Sequence, residues 1–223
     1  RREETERRFA QLEDRLETLC GELSEIRREP AQTLTERMRE GLSDLNFLNV
    51  EFTMEFRRLS HYTAGGFDEA EFLISTNPGE PPRPLGAVAS GGELSRIMLA
   101  IKAVLAETDD IPTLIFDEID TGISGRTAQM VSEKLSLIAG SHQVICITHL
   151  PQIAAMADSH YEIRKTAKEN RTVTQIKRLS EEQMTDELAR LLGGAEITEA
   201  VRQNAREMRA LAAEKKRLNR QTP

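Results

Sequence analysis

Two adjacent carboxylates at the end of an apolar run are the residues of this 223-residue sequence best placed to do chemistry. Leu114-Ile115-Phe116-Asp117-Glu118 reads as a short buried strand that carries Asp117 and Glu118 to the C-terminal edge of a sheet. Ligands bind at that edge in α/β folds. The first acid suits a Mg²⁺ ion shared with phosphates, and the second suits orienting and activating an attacking water. Taken alone, the pair also fits an ordinary strand that ends in solvated acids.

A second cluster, Ser90-Gly91-Gly92-Glu93, opens a helical pattern. Ser90 and Glu93 have the spacing of a capping box. The glycines would let a phosphate approach the backbone N–H groups at the positive end of the helix dipole. A capped helix start accounts for the serine and the glutamate. It leaves unexplained two glycines in the first turn, each costing about 1 kcal/mol of helix stability. The third feature is Thr148-His149, directly after another apolar run. Parallel strand order would bring His149 to the same edge as Asp117 and Glu118, where an imidazole suits a terminal phosphate. A lone histidine at a strand end is more often structural or incidental.

The elements that must position these groups follow from the periodicity. Leu94, Ile97, Met98, Ile101, Val104 and Leu105 mark one face of a helix, and Val131, Leu135 and Ile138 mark the next. Between and after them lie the strands 113–116 and 143–148. Continuous apolar strands alternating with helices predict a parallel sheet covered on both faces. Earlier, Val50, Phe52, Met54 and Phe56 alternate with polar residues, as do Ala70, Phe72 and Ile74, giving two strands connected by 61–68. Four of the eight prolines fall in 77–84, so 76–89 is expected to be a linker. Tyr161–Lys165 and Thr172–Arg178 suggest a hairpin around Lys168-Glu169-Asn170. Ser180 to Gln183 has the form of a capping box, Gly193-Gly194 a helix stop, and 198–218 a charged final helix.

At the other end, Phe9, Leu12, Leu16, Leu19, Leu23 and Ile26 alternate in steps of 3 and 4 within a stretch dense in Arg and Glu. This is coiled-coil spacing, and Pro30 is expected to stop or kink it before a second helix over 32–45. The pattern already runs at Arg1, as in a longer coil. A single amphipathic helix packed on a domain is the plainer alternative. The expected division is 1–29 as the end of a coil and 30–223 as one lobe.

Bulk properties narrow the classes. Charged residues make up 30% and apolar ones 39%, and the net charge is −7, which argues against a self-sufficient DNA-binding module. Cys20 and Cys146 have no metal-ligand spacing and read as reduced thiols. No apolar run approaches the ~18 residues of a membrane span.

The order glycine-rich helix start, strand-Asp117-Glu118, Asp120-Thr121-Gly122, strand-His149 resembles the C-terminal lobe of an ABC-type ATPase head. The context Ala89–Ala100, Phe116–Gly125 and Thr148–Ala154, with Ser75–Glu80, is similar to the bacterial SMC-like ATPases of double-strand-break repair and recombination. In them a coil precedes the lobe. The resemblance implies an α/β head lobe with a mainly parallel sheet flanked by helices. It also implies ATP and Mg²⁺ as ligands. Ser90, Gly91, Gly92 and Glu93 would be the signature motif, Asp117 the metal-side acid, Glu118 the base, Asp120 the D-loop acid on the nucleotide, and His149 the switch residue on the γ-phosphate.

No Gly-x-x-x-x-Gly-Lys-Ser/Thr loop occurs, so the resemblance implies a composite site completed by an N-terminal lobe. This chain alone is then expected to be inactive. The implied partners are that lobe, a second head in an ATP-dependent homodimer, and DNA through the full-length protein; no membrane is implied. The implied location is the bacterial cytoplasm, at the nucleoid. The alternatives are the head of another SMC-like repair or cohesion ATPase, a structural coiled-coil protein with an inactive head, and, more distantly, a transporter subunit.

Overall fold

Pro30 does not end the first element. In the computed structural model, which describes residues 1–219 apart from 48, 89, 107–109, 169–170 and 195, one helix α1 spans Arg2–Ser43. The expected second helix is its continuation. The proline removes one backbone hydrogen bond to the carbonyl of Ile26. Cys20, Ser24, Ala31, Thr35, Met38 and Leu42 are buried on either side of it. Burying Met38 and Leu42 stabilises by about 1.5–3 kcal/mol each, enough to carry the helix through.

Helix α1 packs on a hairpin of β1 (Glu51–Thr63) and β2 (Gly66–Ser75). The register pairs Phe52 with Ile74, Met54 with Phe72 and Phe56 with Ala70, so the two apolar alternations share one face. The strands are longer than their apolar residues suggest. The expected connection over 61–68 is mostly strand, and the chain reverses at Ala64-Gly65, with Gly66 at φ 97°. Ser24 and Arg27 reach Asp68 at 3.0 and 3.4 Å, and Arg58 and Tyr62 both bind Glu17. The proline-rich stretch adds a two-residue strand β3 (Arg83–Pro84) against β2 and a 3₁₀ turn, Leu85–Ala87. These elements form one compact unit, Arg1–Ala89.

The second unit, Ser90–Pro223, begins with α2 (Gly91–Leu105). It continues through β4 (Thr113–Phe116), α3 (Gly125–Ile138), β5 (Gln143–Cys146) and a short α4 (Pro151–Ala155). Strands β4 and β5 are parallel and in register from Thr113↔Gln143 to Phe116↔Cys146. The N–H of Ile147 extends the ladder to the carbonyl of Phe116 at 3.0 Å. Leu114 and Phe116 are buried. Ile115, 68% exposed, lies with exposed Ile145 and Ile147 on the opposite face. That face was expected to be covered. The crossover helix α3 can lie on only one side of the pair.

A β6 (Tyr161–Lys168) and β7 (Arg171–Arg178) hairpin follows, its turn residues 169–170 outside the described set. Helix α5 (Glu181–Gly193) starts with both bonds of the Ser180–Gln183 capping box and ends at Gly194, φ 64°. Helix α6 (Glu199–Asn219) packs on it, burying Leu188, Ala189, Ala205 and Ala212 with Ala155 and Met156. Cations of α6 are spent internally: Arg209 on Glu181, Lys215 on Glu133 and Lys216 on Asp158. Arg220 lies outside the described residues. Among the described residues, no helix is long and apolar enough to cross a membrane.

Candidate functional site

Strand β4 ends in a tight turn in which Glu118 takes φ 57°, a left-handed conformation costing a non-glycine residue about 1–2 kcal/mol. Local bonds hold it there. The Asp117 carboxylate oxygen Oδ1 accepts the N–H of Glu118 at 2.9 Å, and the Glu118 carbonyl accepts the N–H of Thr121 at 3.0 Å. Helix α2 supplies the rest. The Ser95 hydroxyl donates to the carbonyl of Asp117 at 2.8 Å. Nη1 of Arg96 donates to the carbonyls of Thr121 at 2.9 Å and Ile119 at 3.4 Å.

The two glycines of the α2 start face this turn. A Cβ on Gly91 would run into the Glu118 carboxylate. One on Gly92 would lie 2.9 Å from the Thr121 carbonyl and 3.1 Å from that of Glu118. Gly92 is therefore required by the chain's own turn, a reason for glycine separate from ligand approach. The Ser90 hydroxyl accepts the N–H of Glu93 at 3.4 Å, one bond of the expected box. The exposed acid Glu118 thus stands at the positive end of α2.

Asp120 and His149 form the other half of the site. Asp120 is 4% exposed, and its Oδ2 accepts the Thr148 hydroxyl at 2.6 Å and the backbone N–H of His149 at 2.8 Å. Nδ1 of His149 lies 3.0 Å from the same oxygen, while the imidazole stays 73% exposed. A carboxylate only accepts, so Nδ1 carries the proton in this pair and Nε2 is left for another group. The Asp120 side chain is thereby committed to His149.

Burial and these acids shape the neighbouring groups. Burial pushes the Cys146 thiol up to about 12, with Asp120 and Asp117 adding to it. Burial lowers Arg96 from its ordinary value, and Glu93 opposes the shift.

All eight expected residues therefore come to one edge. Ser90, Gly91, Gly92 and Glu93 lie at the α2 start, Asp117 and Glu118 follow β4, and Asp120 and His149 are joined beside them. Ser95, Arg96 and Thr148 stand outside the expected set yet make the bonds that order it. A signal for Arg96 is present in the sequence: it sits in a helix face otherwise apolar. Met98, expected on that face, is exposed instead, while Leu99 and Ala100 are buried.

No family model matches the chain. It is 42% identical over 216 residues to the DNA repair protein RecN of Halalkalibacterium halodurans, covering 92% of this chain and 38% of that protein. It is 41% identical over 201 residues to RecN of Bacillus subtilis (83% and 35%) and 45% over 179 to RecN of Vibrio cholerae (80% and 32%). Over this stretch the chain belongs to the RecN family. It spans about a third of the length of these RecN relatives. Among solved structures, the Smc head domain with coiled coil and joint from Pyrococcus yayanosii matches with TM-score 0.53 at 20% identity, over 73% of this chain and 29% of that one. The Smc head with an extended coiled coil from Pyrococcus furiosus, bound there to the C-terminal domain of ScpA, matches with TM-score 0.50 at 20% identity (73% and 38%). The RecN-family chain accordingly has the α/β fold of an SMC-type head.

Proposed function

We propose that this chain is the C-terminal lobe of an SMC-like ATPase head acting in DNA double-strand-break repair, with residues 1–29 the end of a coiled coil and 30–223 the lobe. The observation that carries the reading is the convergence of Asp117, Glu118 and the Asp120–His149 pair at the C-terminal edge of the parallel β4–β5 pair, against the glycine start of α2. Glu118 accepts a proton from, or orients, the water that attacks the γ-phosphate of ATP. His149, its Nδ1 bound to Asp120, offers Nε2 to the same phosphate, and Asp120 acts on the nucleotide through it. Ser90, Gly91, Gly92 and Glu93 present the start of α2 to the nucleotide of a second head, so that two heads close on two ATP molecules.

The residues fit Mg²⁺ arriving with the nucleotide. Among the described residues no cluster of three His, Cys, Asp or Glu side chains could hold a metal by itself, whereas Asp117 is an exposed hard-oxygen donor. Mg²⁺ is ordinarily held by one or two carboxylates together with substrate phosphates, and there it would neutralise phosphate charge. The edge gathers the acids Asp117, Glu118 and Asp120, so a phosphate bound there requires compensating cations. The open face of Ile115, Ile145 and Ile147 also suits the N-terminal lobe that would bring the P-loop lysine. Phe9, Leu12, Leu16, Leu19 and Ile26, all exposed on α1, suit a partner helix of the coil. DNA is engaged by the full-length protein in the bacterial cytoplasm, at the nucleoid.

Steady-state ATP hydrolysis tests the proposal, using this chain alone, this chain with the N-terminal part, and Glu118→Gln. Activity requiring both parts, and cut by Glu118→Gln to a small measurable remainder, is expected. Full activity in Glu118→Gln would overturn the assignment of the base.

A further inference from the structure

The backbone after β4 is held to an unusual degree. Five successive carbonyls, from Asp117 to Thr121, each accept a hydrogen bond. Those of Glu118 and Asp120 are satisfied within the turn, by the N–H groups of Thr121 and Ile123. Those of Asp117, Ile119 and Thr121 are satisfied by the side chains of Ser95 and Arg96. Arg96 is 8% exposed, an unusual place for a guanidinium unless it is paired. Its planar fork suits bridging two carbonyls of one turn, which a lysine ammonium does less well. The turn so gripped contains a non-glycine residue in the left-handed region, Glu118, and such strain persists only where surrounding bonds over-determine it.

We propose that Arg96, assisted by Ser95, is a positioning residue for Glu118: it clamps the turn that aims the carboxylate, and does not itself touch the substrate. This rests on the functional reading above. The clamp has one further property. Ser95 and Arg96 lie on the first turns of the helix whose start carries Ser90-Gly91-Gly92-Glu93, so a displacement of that start moves the donors that hold Glu118. The orientation of the acid in one site is then tied to the engagement of the helix start that serves another.

The test uses the full-length protein that contains this chain. Arg96→Met keeps length and burial but removes the donors, Arg96→Lys keeps charge, and Ser95→Ala removes the third bond. Each is measured for kcat, for KM of ATP, and for thermal midpoint, alone and in a Glu118→Gln background. Arg96→Met is expected to lower kcat roughly 10–100-fold with KM for ATP within about twofold, since a small misplacement of a reacting group has effects of that order. Arg96→Lys should recover part of the loss, and neither change should lower hydrolysis further once Glu118 is Gln. Should Arg96→Met fail to fold, Arg96→Lys and Ser95→Ala carry the same expectation at smaller size. Unchanged kcat in the folded variants, or a loss that multiplies undiminished onto Glu118→Gln, would overturn the proposal. Wild-type hydrolysis by Glu118→Gln itself would instead sink the functional reading, and the positioning role with it.

Discussion

One carboxylate oxygen, Oδ2 of Asp120, holds His149 twice: through its backbone N–H at 2.8 Å and its ring Nδ1 at 3.0 Å. The Thr148 hydroxyl takes the same oxygen at 2.6 Å. Asp120 is buried and Thr148 half-buried, while the His149 ring stays exposed. Asp120→Ala is expected to destabilise the chain by about 1 kcal/mol in urea unfolding, the net worth of the hydrogen bonds lost from half-buried Thr148 and the His149 backbone. In ¹⁵N spectra of the wild-type imidazole, the Nδ1-protonated tautomer should dominate at high pH. An unchanged ring spectrum in Asp120→Ala would show that the carboxylate does not orient it.

The adjacent glycines Gly91 and Gly92 should respond oppositely to alanine. At Gly92 the new methyl meets backbone of the 118–121 turn, which must shift, and such overpacking costs about 1–3 kcal/mol. At Gly91 it meets only the mobile end of the Glu118 side chain, while alanine favours the helix by roughly 1 kcal/mol. Gly91→Ala should therefore keep or raise the melting temperature and yet impair hydrolysis by displacing Glu118. Paired melting curves and ATPase rates of the full-length variants decide this.

Cys146 should behave as an inert thiol in the folded chain. Its pKa is raised to about 12, leaving a thiolate fraction on the order of 10⁻⁴ at pH 8. Alkylation at pH 8 should be at least tenfold slower than in denaturant. The sign for stability follows: the folded value exceeds the unfolded one, so the contribution is full below about pH 9 and is lost as pH rises towards 12. Relative to Cys146→Ala, the wild type should lose stability over that interval.

Ile115 and Ile145, exposed on the open strand face, should be replaceable without harm to the isolated chain. Ile115→Thr with Ile145→Thr is expected to change unfolding free energy by no more than about 0.5 kcal/mol and to reduce binding of an apolar dye. The same pair should weaken association with the N-terminal part. Undiminished association would remove this face as the docking site.

Much of the site was legible because its residues are tied to strand ends and a helix start, features that apolar runs and glycines reveal directly. Asp117, Glu118 and His149 needed only the order of β4 and β5 to reach one edge. Other features depend on what packs where. Pro30 reads as a break, but the burial of Ala31, Met38 and Leu42 on β1 and β2 overrides it. The strand runs 113–116 and 143–148 read as buried on both faces, since an apolar run does not say which face a helix will cover; Ile115, Ile145 and Ile147 stay exposed. The apolar helix face marks Arg96 as a residue to be buried, but its partners are carbonyls some 25 residues on, which the sequence alone does not name.

Helix α1 is anchored only from Glu17 onward, where Arg58 and Tyr62 grip it, followed by Ser24 and Arg27 on Asp68. Residues 2–16 bury nothing. At 1.5 Å per residue they make a free arm about 22 Å long. The hairpin of β1 and β2 is then the fulcrum of a lever: a tilt of about 10° at Glu17 sweeps the tip by about 4 Å. Any longer helix continuing this arm would enlarge the stroke in proportion to its length, and its stiffness would set how much force survives the journey.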